Sequence, residues 1–115
     1  MSDGCLFCRI AAGDAPGRLL YEDDRVVAFR DINPQAPIHI LVIPRKHIAS
    51  LAEADAAEEG LLGHLLRVGV EMARKAGILD DGFRTVINTG ELAGQSVFHV
   101  HVHVLGGRAM RWPPG

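Results

Sequence analysis

The stretch Ser96-Val-Phe-His-Val-His-Val-His-Val-Leu-Gly-Gly107 decides how the rest of the chain is read. As a strand it sends alternate side chains to opposite sides, so Phe98, Val100, Val102 and Val104 form an apolar row bound for a core. His99, His101 and His103 form the other row, with successive imidazoles about 6.6 Å apart from a rise of roughly 3.3 Å per residue. Imidazole changes protonation near neutral pH and coordinates metals. Alternating histidines beside a valine row therefore point to chemistry or to a metal rather than to a merely solvated strand face.

Working outward, Gly94-Gln95-Ser96 leads into this segment, and its small residues and backbone amides can approach an anion closely. Phe83 to Ile87 reads as another strand, ended by Asn88-Thr-Gly90. A helix is expected from Ala56 to Ala76: Asp55 caps it, Glu58 stands at capping-box spacing and Gly77 stops it. Leu61, Leu65, Val68, Met72 and Ala76, widened by Leu62 and Ala73, make its apolar stripe, so Met72 is packing material rather than a metal ligand. Gly63 and Gly69 leave room for close approach to a sheet or another subunit.

Before that helix, His39 to Pro44 reads as a buried strand, and Arg45-Lys46-His47 follows as a basic patch that is solvated, phosphate-facing or metal-facing. Leu19–Glu22 and Val26–Arg30 suggest an antiparallel hairpin about Asp23-Asp24. Asp31 precedes a segment stiffened by Pro34 and Pro37, where its carboxylate either caps the turn or is held near a ligand. Leu6, Phe7 and Ile10 fit a short helix before the breaking run Gly13-Asp-Ala-Pro-Gly17. The tail, 108–115, carries Trp112 as an interface residue or a packing clasp. Together these elements imply an α+β domain with a largely antiparallel sheet and helical covering.

The chain has 115 residues, 48% hydrophobic and 23% charged, with a net charge of −2. That size suits a single domain, 1–115, with an ordinary interior. The charge balance offers no footprint for long nucleic acid, although a local pocket can still hold a small nucleotide. Without a signal-like start or an apolar run near 20 residues, no membrane association is expected and a cytoplasmic location follows. Cys5 and Cys8 are the only cysteines. In a reducing compartment their spacing is open to metal ligation, redox chemistry or ordinary thiol packing.

His99-Val-His-Val-His103-Val-Leu, between Gly94-Gln95-Ser96 and Gly106-Gly107, resembles the histidine triad signature. The likeness to the nucleotide-binding, purine phosphoramidase branch of that family runs from Leu6 almost to Gly115. It is carried also by Phe29-Arg-Asp-Ile-Asn-Pro-Gln-Ala-Pro-Ile-His39, Leu41-Val-Ile-Pro44, Asn88 and Trp112-Pro-Pro-Gly115. The resemblance implies a HIT-like fold: a five-stranded mainly antiparallel sheet, one long helix and a short N-terminal helix, joined in a homodimer as a ten-stranded sheet.

It also implies binding of purine nucleoside monophosphates and hydrolysis of purine nucleoside 5′-phosphoramidates through a nucleotidyl-histidine. By that comparison His101 is the nucleophile, and His103 and His39 orient the imidazole or phosphate. Asn88, Gln95 and Ser96 contact phosphate or leaving-group atoms, with Ser96 and the histidines helping to protonate the departing amine. Asp31 binds the ribose, and Phe7, Ile10, Phe29 and Ile32 line the base and ribose pocket. Gly94 and Val97 of the same loop, and Trp112 of a tail near the dimer interface or the active site, complete the substrate contacts. Cys5, Cys8, His47 and His99 match the structural zinc ligands of cysteine-containing relatives, while the covalent chemistry itself needs no cofactor. Arg30 stands where some close relatives have histidine. Two other functions share this framework: hydrolysis of dinucleoside polyphosphates or other nucleotidyl conjugates, and a nucleotide-responsive interaction protein.

Overall fold

The strands are β1 (Leu19–Glu22), β2 (Val26–Arg30), β3 (Ile38–Pro44), β4 (Phe83–Val86) and β5 (Val102–Gly106). They pair antiparallel throughout, in the spatial order β1-β2-β3-β5-β4. This computed structural model describes residues 4–15 and 17–115. Pro16 of the expected breaking run, and the first three residues of the chain, lie outside the described residues.

Strand alternation divides the core in two. Val26 and Ala28 of β2, Ile40 and Val42 of β3, and Val102 and Val104 of β5 pack against one helix. That helix, α2 (Glu59–Lys75), contributes Leu65, Val68, Met72 and Ala73. On the opposite face Val27, Phe29, Leu41 and Ile43 pack against Phe7 and Ala11 of the short helix α1 (Leu6–Ala12). Coverage from both sides explains why β3 reads as a continuous apolar run. Alpha-1 covers only part of its face, and the uncovered remainder holds the polar residues of the same parity.

The expected capping box is present, with Asp55 accepting from Ala57 N and Glu58 from Asp55 N, but it opens a 3-10 turn, Ala56–Glu58, before α2 begins. At Gly69 a Cβ would stand 3.3 Å from Val104 Cγ2, so this glycine admits the sheet; at Gly63 a Cβ would meet nothing within 4 Å. No helix among the described residues is long and apolar enough to cross a membrane.

The histidine segment corrects the strand reading. Only 102–106 joins the sheet; the chain bends through Val97 to His99, and Phe98 is 51% exposed instead of entering the apolar row. Val100 N donates to Ile48 O at 2.7 Å, pairing with the loop beyond β3 rather than with the ladder. Pro44, which brings no N–H to a ladder, ends β3, and its carbonyl is taken by the His99 ring.

Candidate active site and metal centre

A pocket of about 590 Å³ opens beside α1. Phe7, Ile10, Phe29, Asp31, Ile32, Ser96, Val97, His101 and His103, all singled out in the sequence, line it together with Leu6, Arg18 and Leu41. Ile32 is 98% exposed and so edges the mouth rather than forming a wall. Asn88, Gly94, Gln95 and Trp112 do not line this pocket.

Gln95 is buried, with Oε1 accepting from Gly90 N and Nε2 donating to the Ala49 and Val97 carbonyls. Its side chain thus braces the loop that presents Ser96 and Val97. The basic patch after β3 is likewise engaged internally. Arg45 donates to Asp23 O and Ala11 O and pairs with Glu22, while Lys46 meets Glu58 at 2.6 Å. Neither faces a phosphate site.

The pairing of β3 with β5 sets His103 opposite Leu41 and His39 opposite Leu105, placing both imidazoles on the face with α1. Their hydrogen bonds define their tautomers. Gln35 N donates to His39 Nδ1 at 3.0 Å, so the His39 proton sits on Nε2. From there it faces His103 Nδ1 at 2.8 Å, with Asp31 Oδ2 farther off at 3.3 Å. His103 therefore accepts at Nδ1 and keeps its proton on Nε2.

Burial holds His39 below its ordinary value, against the pull of the Asp31 carboxylate. Burial, reinforced by His101 and His39, lowers His103 to about 4. Both rings are thus neutral near pH 7. Asp31, His39 and His103 also lie close enough to share a cation, but the Gln35 amide already occupies His39 Nδ1 and leaves Nε2 protonated. Hydrogen bonds, not a metal, account for that group.

His101 sits between the two systems. Its Nδ1–H donates to the His99 carbonyl at 2.8 Å, leaving a lone pair on Nε2. The ring packs edge-on against Phe7, with centroids 5.1 Å apart, and lies 4.9 Å from His103.

His99 leaves the other two histidines and is fully buried in a second cluster with Cys5, Cys8 and His47. Its Nε2–H donates to Pro44 O at 2.8 Å, which turns Nδ1 toward the sulfurs. Cys5 Sγ and Cys8 Sγ each stand 3.4 Å from that nitrogen. His47 Nδ1 is 3.2 Å from both Cys8 Sγ and His99 Nδ1. A tetrahedron drawn with metal–sulfur bonds of about 2.3 Å and metal–nitrogen bonds of about 2.0 Å has edges of roughly 3.3–3.8 Å. Two sulfurs and two ring nitrogens at these separations make a donor set that fits a divalent metal of the zinc type.

Residues 12–110 match the HIT domain family. The chain belongs to the HIT domain family. A HIT-like protein of Synechococcus elongatus is 52% identical over 115 residues, the full length of both chains. The 14 kDa zinc-binding protein of Zea mays is 50% identical over 112 residues, covering 96% of this chain and 87% of the maize protein. The crystal structure of a HIT family hydrolase from Legionella pneumophila has a TM-score of 0.95 at 46% identity, covering 97% of this chain and 100% of that one. As a HIT domain with this pocket, the chain has the fold of a nucleotide-binding hydrolase or transferase family.

Proposed function

We propose that this HIT protein hydrolyses purine nucleoside 5′-phosphoramidates through a nucleotidyl intermediate on His101. The observation that carries the reading is the His101 hydrogen bond to the His99 carbonyl, which puts the lone pair of the neutral ring on Nε2, beside a pocket that also contains Asp31 and His103. Nε2 attacks phosphorus, the P–N bond of the substrate breaks, and the amine leaves with a proton supplied by Ser96 or the histidines that line the pocket. Positive charge then develops on the His101 ring, and its bond to the His99 carbonyl becomes charge-assisted. Water attacks the same phosphorus and gives a proton back to the group that protonated the amine, the bond to Nε2 breaks, and nucleoside monophosphate is released with the imidazole restored.

His103 Nε2–H meets the charge growing on a nonbridging oxygen, its tautomer held by His39. Asp31 suits the neutral ribose hydroxyls better than the phosphate, where like charge opposes it. Phe7, Ile10 and Phe29 supply apolar surface for the base, with Ile32 at the rim. Cys5, Cys8, His47 and His99 would hold zinc, for which the maize zinc-binding relative is support, and the metal there would supply a structural cross-link rather than an activated water. Those ligands already make a complete four-donor shell.

Trp112 is 81% exposed; Arg84 of the edge strand β4 lies over its ring and donates to Arg111 O. The tail therefore lies beside an open sheet edge. A homodimer joined there would cover Trp112, which a single copy leaves exposed.

The decisive experiment compares kcat/KM for adenosine and guanosine phosphoramidates and for diadenosine polyphosphate, with rapid quenching to map the labelled residue. Label on His101 and preference for the phosphoramidates are expected. Much faster cleavage of diadenosine polyphosphate would reassign the substrate, and turnover without label at position 101 would remove the covalent mechanism.

A further inference from the structure

We infer that the Cys5/Cys8/His47/His99 centre and the nucleotide pocket are coupled through α1, so that each ligand tightens the other. This rests on the nucleotide reading of the pocket and on the metal fit of the four donors. Alpha-1 has only seven residues, too few for a stable helix in isolation, so its position depends on its attachments. At the C-terminal end Arg45 Nη1 donates to Ala11 O at 2.6 Å. In the middle, Phe7 and Ala11 pack on the sheet. At the N-terminal end the attachment is the metal-ligand set itself. Cys5 is the N-cap, its sulfur accepts from Cys8 N at 3.4 Å, and both sulfurs face His99.

The same turn builds the pocket: Leu6, Phe7 and Ile10 line it, interleaved with the two cysteines. Phe7 meets Phe29 edge-on at 5.5 Å and His101 at 5.1 Å. A base lying on this wall orders the turn that carries Cys5 and Cys8, and a metal on the cysteines orders the wall that receives the base. Whichever ligand binds first meets the ordering cost, and reciprocity makes the two effects equal.

The test uses the full-length protein and AMP, so that no turnover intervenes. Zinc affinity, measured by competition with a chromophoric chelator, is expected to tighten at least about fivefold at saturating AMP. AMP affinity is expected to weaken by the same factor in the zinc-free protein. Ribose 5-phosphate, with no base to lie on α1, is expected to leave zinc affinity within about twofold. C8S protein, if folded by circular dichroism, should bind AMP like the zinc-free form; the chelator competition needs only wild type should C8S fail to fold. Equal zinc affinities with and without AMP, where both ligands bind, overturn the coupling alone. An inability of the zinc-loaded protein to bind AMP overturns the nucleotide reading and the coupling with it, and an inability to bind zinc overturns the metal fit and the coupling.

Discussion

Replacing His39 by leucine isolates one step of the proposed chemistry. His39 Nε2–H faces His103 Nδ1 at 2.8 Å and thereby keeps the His103 proton on Nε2, the nitrogen assigned to the phosphate. With leucine at position 39 that half-buried acceptor loses its donor. With the His39 Nε2–H gone, nothing holds the His103 proton on Nε2, and the ring is free to take the tautomer that carries it on Nδ1. The exchanged tautomer turns a lone pair, not a donor, toward the phosphate. Loss of one preorganised donor to developing charge lowers kcat by about 10²–10³-fold. KM should stay within about threefold, since the apolar wall is untouched and the loss falls on the transition state. His39→Gln places an amide donor near the same point and should recover part of the rate. The assay is steady-state hydrolysis of an adenosine phosphoramidate, with nitrogen chemical shifts of His103 reporting the tautomer. A leucine variant that keeps the Nε2–H tautomer and nearly full kcat would refute the relay.

Further predictions follow from the same geometry. His101→Ala should lower phosphoramidate turnover by at least about 10⁴-fold while leaving AMP affinity, measured calorimetrically, within about threefold. Because folding lowers His103 from its ordinary 6.5 to about 4, the unfolded chain binds the extra proton first, and stability contributed by this site falls as pH drops from 6.5 toward 4. Urea titrations of wild type and His103→Asn at pH 7 and pH 5 should show the smaller acid loss in the variant. Gly106→Ala would bring a Cβ to 2.5 Å from Ile78 Cδ1 and 3.2 Å from its Cβ, in a buried position. Overpacking there should cost about 1–3 kcal/mol in a denaturation experiment.

The sheet was largely legible because its strands carry local signals. Leu19–Glu22 and Val26–Arg30 have the bounds expected from the acidic turn between them, and Asp55 with Glu58 marks where the helical region starts. What the chain does not announce is register. That His39 and His103, 64 positions apart, face the same side depends on β3 pairing with β5, a contact with no local signature. The role of Gln95 was hidden for a similar reason. A glutamine in a glycine-bearing loop looks like a ligand-facing residue until its partners at Ala49 and Gly90 are known. Cys5 and Cys8, ambiguous as a pair, acquire a definite chemistry only through His47 and His99.

The failure of the strand expectation at His99 has a chemical reason. In a strand that continued through residue 99, its carbonyl would lie in the plane of the sheet, directed at a neighbouring strand and away from the side chains. Leaving the ladder before Val102 frees that carbonyl to accept the His101 Nδ1–H. It also drops the His99 ring out of the row, so that one nitrogen reaches Pro44 O and the other reaches the sulfurs. Strict alternation would have left His99 in a row with the other two histidines and His101 without a defined proton position. Residue 99 thus serves the cluster through its side chain and the proposed nucleophile through its backbone. A break in periodicity at that point is the kind of local departure expected where a site, rather than a core, dictates the conformation.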